Sequence, residues 1–572
     1  MTLMKRNSFW RYGALSFTSF AMLTAFAEPH FPENTGRLLQ HQIQQQQAQQ
    51  LQFEAKAPEV SLSVPIIKST VQFPKETPCF TIQHVSMTGQ KMLPHWVPVQ
   101  RLANQASGYC LGINGINLLV TDIQNRLIIH GWITTRVLIP EQDLSSGILA
   151  LVVMPGKVQH IRFTDGSSTY SSLYTAIPTH VGDLLDLRDV EQGLENLKRL
   201  PTVQASMEMV PGDGPGDTQI VIHRRQFRYW HVGAWVDNTG SRSTGKNQAG
   251  IMLALDNPTS LNDLFYITTT RDLGFSSSKD TTNYSAHYSV PFGYWQFSTT
   301  VSDYEYTQTI AGANSDIAYR GKNRSLNLQL SNVLYRDVTA KTTVTYDVNM
   351  RETRNFVQNT EIENQKRRTT SWKVGLNHRQ FIGQSTLHVG VSYQHGTRWF
   401  GAMPAFEELQ DAESRDYATA LAIVMQFSAS ASIPFSLADQ SLRFDSQYLR
   451  QISERPLTPQ DQFSIGNRWT VRSFDGERTL SADEGWTLRN TLSWALPLSS
   501  QELYLGADYG EISGRGIDIN LGSHLAGGVV GLRGAIIPAN LSYDLSIGTP
   551  FSMPDGFITD PATFAFSVNW NY

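Results

Sequence analysis

The chain has 572 residues, of which 17% are charged and 40% hydrophobic, and its formal net charge is −4. This length suggests two or more domains. Beyond the extreme N-terminus there is no apolar run of the roughly 20 residues that a membrane-spanning helix needs, which excludes a polytopic α-helical membrane protein. With 42 glycines and 10% aromatic residues, the composition fits a β-rich chain, a class that includes transmembrane β-barrels.

Residues 1–27 predict a secretory signal peptide. Lys5, Arg6 and Arg11 precede an apolar stretch, and Ala25-Phe26-Ala27 fits the small-x-small cleavage rule. These residues carry three positive and no negative side chains, so their removal gives a net charge of −7. A mildly acidic chain argues against nucleic-acid binding, which requires a basic surface.

Cys79 and Cys110 are the two cysteines of the chain. In an exported protein an even number of cysteines suggests a disulfide, which would stabilise the fold by roughly 3–4 kcal/mol in the chain-entropy model. Two unpaired buried thiols are the alternative, and export favours the disulfide. The sequence contains no Cys/His cluster that predicts a metal site, and we expect no cofactor.

Three zones precede residue 228. Residues 34–55 are rich in Gln, Ala and Leu, a composition that allows either a largely polar helix or a disordered glutamine tract. Residues 56–77 contain the prolines of an extended linker. Residues 78–226 alternate strand-like and helical patterns and divide near Pro155-Gly156 into two units of similar size, 78–154 and 155–226.

Two helices stand out in these units. The spacing of apolar residues predicts helices at 115–126 and 186–200, and Pro201 ends the second one. In the second helix, Arg188 and Glu191 are expected to face outward.

Residues 228–572 show period-two alternation, as where Leu326 and Leu328 alternate with Asn327 and Gln329. The polar face is mostly Ser, Thr, Asn, Gln and Gly, which suits a wet lumen, and the apolar face suits lipid. We predict a transmembrane β-barrel of about 16 antiparallel strands, because an even number closes a bacterial barrel. The strands are expected at 228–237, 247–256, 262–272, 281–291, 293–304, 324–333, 339–350, 370–380, 384–395, 416–428, 440–452, 485–497, 501–511, 525–534, 538–547 and 562–572.

The connections between these strands alternate in length. Short ones at 291–293, 381–383 and 498–500 predict periplasmic turns, and long ones at 353–369, 396–415 and 453–484 predict extracellular loops. No nucleotide-binding, zinc-protease or serine-hydrolase motif occurs in the chain. We therefore expect no catalytic residue and no enzyme activity.

Three stretches resemble the TpsB family of outer-membrane transporters of two-partner secretion, in the superfamily of barrels with POTRA domains that includes BamA. The cysteine pair with residues 131–147 resembles the first POTRA domain of the family, and residues 187–201 with Pro211-Gly212 resemble the second. Val471-Arg472-Ser473-Phe474 resembles the family's V-R-G-[YF] sequence, with Ser473 in place of the usual glycine.

The resemblance implies that two segments of the chain occupy the lumen of the barrel. A plug helix at 34–55 would enter the lumen, and the loop at 453–484 would fold back into it. Gly506, Asp508 and Gly510 resemble the family's barrel-wall motif G-x-D-x-G, so Arg472 is expected to form a charge-assisted bond with Asp508.

The resemblance also implies partners and a location. The two POTRA domains would lie in the periplasm of a Gram-negative bacterium, below an outer-membrane barrel, and would bind an unfolded TpsA-type exoprotein. That exoprotein would be a large secreted adhesin, haemolysin or contact-dependent inhibition toxin. Outer-membrane lipid and the barrel-assembly machinery are the other expected partners, and no nucleic acid is expected.

Individual residues receive expected roles from the same resemblance. Tyr572 resembles the terminal aromatic residue by which outer-membrane barrels are recognised for insertion. The candidate exoprotein contacts are Arg136, Gln142, Arg188, Asp189 and Glu191.

Two other functions compete with secretion. A barrel-assembly insertase of the BamA type normally carries more POTRA domains and lacks the N-terminal helix. A passive porin or an enzyme-bearing barrel does not explain the 150 or so periplasmic residues. The two POTRA-like units and the 34–55 segment therefore favour the secretion transporter.

Overall fold

A computed structural model of the chain describes residues 40, 42–45, 72–94, 96–274, 279–311, 316–409, 417–497, 500–515 and 517–572. The predicted signal peptide and most of the predicted linker lie outside these residues. The described chain forms two small α/β units followed by a closed β-barrel. Within the described ranges, no helix is long and apolar enough to cross a membrane.

The first α/β unit buries one face of a long helix against a three-stranded sheet. Its elements are β1 (Phe80–Thr81), β2 (His84–Thr88), α1 (Val99–Ala103), β3 (Cys110–Leu111), α2 (Ile113–Ile129), β4 (Arg136–Leu138) and β5 (Ile148–Met154). The sheet order is β2-β5-β4, with β2 parallel to β5. Ile116, Leu119 and Ile123 recur at three- or four-residue spacing and belong to one buried cluster with Leu149 and Leu151. The helix predicted at 115–126 is therefore confirmed, with two or three more residues at each end.

The predicted disulfide joins Cys79 to Cys110. Thr81 of β1 pairs with Cys110 of β3, so the bond lies beside a short antiparallel pair. It connects the entry of the unit to the segment that leads into α2.

The second α/β unit has a similar plan. Its elements are β6 (Lys157–Phe163), α3 (Leu173–Ala176), α4 (Leu187–Lys198), β7 (Val203–Pro211) and β8 (Asp217–Gln226), with sheet order β6-β8-β7. Asp186 caps α4, because its carboxylate accepts a hydrogen bond from the Arg188 backbone N–H at 2.8 Å. Val190 and Leu194 on one face of the helix share a buried cluster with Ile220 of β8.

The expectation that Arg188 and Glu191 face outward is wrong. They are 5% and 0% exposed, and their side chains pair at 2.6 Å. Glu191 also lies 3.4 Å from Nε of Arg336, at the end of the barrel nearest the second α/β unit. The barrel therefore covers the polar face of α4, opposite the apolar face that packs on the sheet. The spacing of apolar residues in the helix cannot predict that a polar face is buried by another domain.

In the described part of the chain, sixteen antiparallel strands close the barrel, with β27 paired to β9. The short strand β16 (Thr360–Glu361) folds back and pairs antiparallel with the end of the barrel strand before it, and β21 (Phe463–Ile465) pairs with β22 (Leu480–Ala482) outside the barrel sheet. The sixteen are β9 (Trp230–Asp237), β10 (Gln248–Asp256), β11 (Leu264–Asp272), β12 (Asp280–Phe292), β13 (Trp295–Ala311), β14 (Asp316–Arg336), β15 (Ala340–Val357), β17 (Arg367–Ile382), β18 (Ser385–Thr397), β19 (Ile423–Leu437), β20 (Gln440–Ser453), β23 (Glu484–Ala495), β24 (Gln501–Ser513), β25 (His524–Ile536), β26 (Leu541–Ser552) and β27 (Thr563–Asn571).

Each predicted strand has a counterpart, but several ends were misplaced, since β13 continues to Ala311, β14 already begins at Asp316 and β26 continues to Ser552. The strand expected at 416–428 runs instead from Ile423 to Leu437. Its second half is rich in serine and alanine and contains Pro434, so it lacks clear alternation. The loop expected at 353–369 is largely strand, since β15 continues to Val357 and β17 begins at Arg367. These ends are charged on both faces, which period-two hydrophobicity does not detect.

The barrel presents its apolar residues outward. On β12 and β13, Tyr284 and Val301 are 59% and 52% exposed, whereas their neighbours Asn283 and Ser302 are 7% and 4% exposed. A soluble sandwich would bury the apolar set instead. This inverted pattern is that of a barrel whose outer surface contacts lipid.

Asp186 lies where the two α/β units meet. The backbone N–H of Leu187 donates to the Gly131 carbonyl of the first unit at 2.9 Å. Burial raises the pKa of Asp186 from 3.8 to about 6, against the effect of its hydrogen bond from the Arg188 backbone.

We expect acidification to stabilise this junction. An acid whose pKa is raised by folding destabilises the folded state when ionised, and that cost disappears as the pH falls through about 6 toward 4. The shift corresponds to roughly 3 kcal/mol at neutral pH. Amide hydrogen exchange at the start of α4, corrected for intrinsic rates, should therefore slow between neutral pH and pH 5.

Asp186→Asn keeps a cap acceptor and should remove this pH dependence. Asp183→Asn is the matched control, because Asp183 is exposed and its replacement should leave the dependence intact. An unchanged pH profile in Asp186→Asn would show that another group controls the junction.

Candidate functional site in the barrel lumen

The connection at 453–484 lies against the inner wall of the barrel. Val471 and Phe474 are buried in one apolar cluster with Ile512 of β24 and Leu525 of β25. Phe474 also meets the ring of Phe557 edge-on, with centroids 5.7 Å apart. This cluster gives the loop a small hydrophobic core of its own within a polar lumen.

The tip of this loop is attached to the wall through Arg472 and Asp508. Nε of Arg472 donates to one Asp508 oxygen at 2.8 Å and Nη2 donates to the other at 2.6 Å, which makes a bidentate pair. The Arg472 backbone N–H donates to the same carboxylate at 2.9 Å. Nη1 reaches the Thr491 hydroxyl and Nη2 the Asn490 carbonyl, both at 3.0 Å. The contact expected between Arg472 and Asp508 is thus present, and every donor group of the guanidinium has a partner.

The two glycines that flank Asp508 at alternate positions make this contact possible. A Cβ at Gly506 would lie 2.5 Å from Nη2 of Arg472, and one at Gly510 would lie 3.1 Å from Cγ2 of Val471. Gly506, Asp508 and Gly510 share one face of β24. A side chain at Gly506 would displace the Arg472 guanidinium, and one at Gly510 would crowd Val471 by a few tenths of an ångström. The spacing G-x-D-x-G therefore has a steric reason here.

Ser473 is accommodated by glycines on the wall rather than by a special backbone conformation. Its φ is not positive, so the loop tip does not require glycine at this position. Its side chain lies where a Cβ would stand at Gly527, and its Cα is 2.6 Å from the position of a Cβ at Gly548. The absence of the family's usual glycine therefore leaves the turn intact.

A cavity of about 410 Å³ beside this pair is lined by further arginines. Arg443 binds both oxygens of Glu502, at 3.1 and 2.9 Å, and Arg533 donates to the same carboxylate at 3.0 Å. Arg489 instead donates to the Trp469 carbonyl at 3.0 Å. Among the described residues no carboxylate forms an ion pair with Arg489, so this wall of the lumen has an excess of positive charge.

Part of the predicted helix at 34–55 lies in the same lumen. The structure describes Gln40 and residues 42–45 of this segment, and they are helical. Gln45 donates to the Thr239 hydroxyl and to Gln248 of the wall, at 2.7 and 2.6 Å. Gln42 accepts from Asn323 on β14 at 3.4 Å. The helical residues therefore contact the inner wall at two places, one beside β9 and β10 and the other on β14.

The helix also contacts the lumen loop. Gln40 donates to the carbonyls of Pro459 and Gln462, at 2.6 and 2.8 Å. Gln44 accepts from Asn467 at 2.9 Å. Polar partners lie on several faces of the described helical residues, which explains why a thin apolar face suffices. Two polar cavities of about 280 Å³ each remain beside Ile43.

The five candidate exoprotein contacts occupy different environments. Arg136 is exposed on β4. Gln142 binds the backbone N–H and carbonyl of Ala150, at 2.6 and 2.9 Å, and so covers part of the β5 edge. Arg188, Asp189 and Glu191 lie between α4 and the barrel, where Asp189 accepts from the Tyr294 hydroxyl at 2.6 Å.

The structure reveals interdomain residues that the sequence did not indicate. Arg336 and Lys341, which flank a periplasmic turn, bind Glu195 of α4 at 2.7 and 2.8 Å. Asn196 donates to the Gly293 carbonyl of another turn at 2.8 Å. The partners of these pairs are about a hundred residues or more apart in the chain, and no local pattern connects them.

A second unpredicted group lies at the opposite end of the barrel. Arg242 pairs with Asp560 and lies near Asp475 and Glu477 of the lumen loop, at 3.8 and 3.9 Å. The loop is therefore connected to two extracellular connections as well as to the wall.

The C-terminal residue completes the closure of the barrel. The Tyr572 backbone N–H donates to the Val232 carbonyl at 2.8 Å and its carbonyl accepts from the Val232 N–H at 3.1 Å. Its ring stacks on Trp570, and the Arg228 guanidinium lies 4.5 Å from the ring centroid. Among the described residues, no cluster of His, Cys, Asp or Glu could hold a metal ion.

Comparison with protein-family models gives three matches along the chain. Residues 216–534 match the model described as haemolysin secretion/activation protein ShlB/FhaC/HecB. Residues 80–156 match the ShlB-type POTRA domain, and residues 157–211 match a further POTRA domain.

Individual relatives align over almost the whole length. The outer membrane transporter CdiB-2 of Burkholderia pseudomallei is 32% identical, with 98% of this chain and 99% of that protein covered. The hemolysin transporter protein ShlB of Serratia marcescens is 26% identical, with 70% of this chain and 71% of that protein covered. The solved structure of CdiB from Escherichia coli superposes with a TM-score of 0.84 at 29% identity, covering 93% of this chain and 98% of the other. The chain therefore belongs to the ShlB/FhaC/HecB family, the outer-membrane transporters of two-partner secretion.

Proposed function

We propose that this outer-membrane transporter recognises one unfolded TpsA-type exoprotein with its periplasmic POTRA domains and passes it through the barrel to the cell surface. The observation that carries this proposal is the content of the lumen. A helix and a loop fill it through contacts that can be broken and remade, and a polar wall remains around them. Transport rather than catalysis is the activity that these parts serve.

Recognition in the periplasm is proposed to use a sheet edge. Strand β7 pairs with β8 on one side, and no other strand of the described chain pairs with its opposite side. An extended exoprotein segment could add to such an edge through main-chain hydrogen bonds, which bind without requiring one sequence. Arg136 is proposed as an additional contact. Arg188 pairs with Glu191, which lies beside Arg336 of the barrel, and Asp189 accepts from Tyr294 of the barrel. These contacts support a structural role for the three residues instead.

The passage through the lumen is proposed to require that the loop and the helix rearrange. We propose that residues 78–154 and 155–226 are the two POTRA domains, that 228–572 is the barrel, and that 34–55 is the plug helix. Tyr572 is proposed as part of the insertion signal read by the barrel-assembly machinery. Folding of the exoprotein outside the cell is proposed to supply the energy, because no nucleotide-binding motif occurs in the chain.

A barrel-assembly insertase is the competing function, and co-expression separates the two. Expressed with the large exoprotein encoded beside its own gene, the full transporter should release that exoprotein from the cell. A variant without residues 78–226 should not release it while still showing the heat-dependent electrophoretic shift of a folded barrel. Normal release of the exoprotein by the variant without residues 78–226 would contradict the proposal. Insertion of unrelated barrel proteins into the outer membrane, without release of the exoprotein, would favour the insertase.

The Arg472–Asp508 pair should be required for export. Asp508 is 2% exposed, and removing one partner of a buried pair typically costs about 3–5 kcal/mol because a charge is left without a partner. Arg472→Ala and Asp508→Ala should each reduce the secreted exoprotein at least about tenfold, as measured by immunoblotting of culture supernatants. The double variant should be no worse than either single variant, because both remove the same contact.

Arg478→Ala is the matched control for this pair. Arg478 lies on the same loop and is exposed, and among the described residues its side chain reaches only the Gly556 carbonyl, at 3.4 Å. Its replacement should leave secretion unchanged. Wild-type secretion by both Arg472→Ala and Asp508→Ala, with barrels normally inserted, would exclude a role for the pair.

Deleting residues 28–56 should raise the current through single barrels in planar lipid bilayers. The helical residues 40 and 42–45 contact both the wall and the lumen loop, so their removal widens the conducting path. The control is Gln45→Ala, which removes two hydrogen bonds but leaves the helix in the chain and should give an intermediate frequency of large openings. Unchanged current after the deletion would mean that this segment does not obstruct the pore.

A further inference from the structure

The outer surface of the barrel carries a charged patch near the extracellular ends of β13, β14, β15 and β17. We call it the rim patch. It consists of five cations and three carboxylates, namely Arg320, Lys322, Arg324, Arg354, Arg368, Asp303, Glu305 and Glu352. None of these residues belongs to the lumen site described above.

The rim patch faces away from the lumen. Asp303, Arg324, Glu352 and Arg368 occupy adjoining register positions on four neighbouring strands. Residues two apart along a strand share a face, and the same face of β14 carries Leu330, which is exposed. The intervening residue Asn323 points inward, where it binds Gln42 of the helix.

The distance of the rim patch from the periplasmic end of the barrel, measured along the membrane normal, can be estimated from β14. Arg336 at one end of this strand binds Glu195 of the second POTRA domain, which fixes the periplasmic level. Arg324 is 12 residues away on the same strand. At about 3.3 Å per residue and a tilt of roughly 35–45°, that separation spans about 28–32 Å of height. The apolar band of such barrels is about 25 Å tall, so the rim patch lies at the level of the outer-leaflet headgroups.

The charges of the rim patch are not balanced internally. Arg320 and Lys322 share Glu305, at 2.9 and 3.0 Å, and Arg354 and Arg368 share Glu352. Arg324 alone has its own carboxylate, Asp303 at 2.9 Å. Five cations face three carboxylates within the rim patch. With Lys366, Glu361 and Glu363 of the adjoining connection included, six cations face five carboxylates, which leaves one positive charge in excess. Exposed ion pairs of this kind are weak, so the guanidinium groups remain available to an external anion.

We propose that the rim patch binds the phosphate groups of a phosphorylated lipid headgroup in the outer leaflet of the outer membrane. Arginine recognises phosphate through parallel N–H donors, and cations placed beside a membrane surface attract anionic headgroups. The apolar residues directly below would contact the acyl chains of the same lipid. The proposal rests on the outer-membrane location of the barrel and not on the export of an exoprotein.

Lipid retention by the purified full-length protein tests this site. The protein is reconstituted in phosphatidylcholine vesicles that contain lipid A with both phosphates or with the phosphates removed, and is then extracted for native mass spectrometry. Wild-type protein should retain the phosphorylated lipid. The triple variant Lys322→Gln/Arg324→Gln/Arg354→Gln should retain it at least about tenfold less, since it loses three of the five cations that would attract the phosphate groups.

Arg271→Gln is the matched control, because Arg271 is an exposed cation at the extracellular end of β11 that lies 3.3 Å from one carboxylate, that of Asp280. It should retain lipid like the wild type. Equal retention by the triple variant, or equal retention of the dephosphorylated lipid, would overturn the proposal. Displacement of the lipid by excess inorganic phosphate would assign the site to free phosphate and would also overturn it. The triple variant should still secrete the exoprotein, so failure here is distinguishable from failure of the export function.

Discussion

The structure depends on one constraint: in hydrocarbon, no backbone N–H or carbonyl group can be left without a hydrogen bond. Pairing β27 with β9 satisfies it by closing the sheet. Once the sheet is closed, alternate side chains must point either to lipid or into an enclosed lumen. Closure therefore encloses a lumen lined mostly by polar side chains. Glycines that face this lumen leave room for the loop that lies against the wall.

The two segments in the lumen are held by different chemistry. The loop at 453–484 has an apolar cluster and a bidentate ion pair, both of which fix one geometry. The described helical residues use amide side chains, and each net hydrogen bond of this type contributes only about 1 kcal/mol. The helix can therefore leave through many small losses, whereas the loop tip must break one strong contact. The lumen thus contains a weakly held part beside a strongly held one.

Sequence patterns predicted the repeated features of this fold and missed the unique ones. Period-two alternation predicted every barrel strand, and the even number of cysteines in an exported chain predicted the disulfide. The contact of Arg472 with Asp508 came from a resemblance, since nothing in their separation of 36 residues brings them together. Periodicity failed for Arg188 and Glu191 because the barrel covers a helix face that is polar. It misplaced the ends of β19 because small residues carry little hydrophobic contrast between the two faces of a strand.

The doubly covered helix α4 has a consequence for the biogenesis of the protein. Its Glu195 is paired with Arg336 and Lys341 of the barrel, and Glu191, which pairs with Arg188 of the same helix, also lies beside Arg336. Until the turn between β14 and β15 forms, that face of the helix presents carboxylates without these cations. A chain whose barrel is unfinished therefore displays an acidic surface in the periplasm, and a completed one does not. The junction distinguishes immature from mature molecules by charge alone.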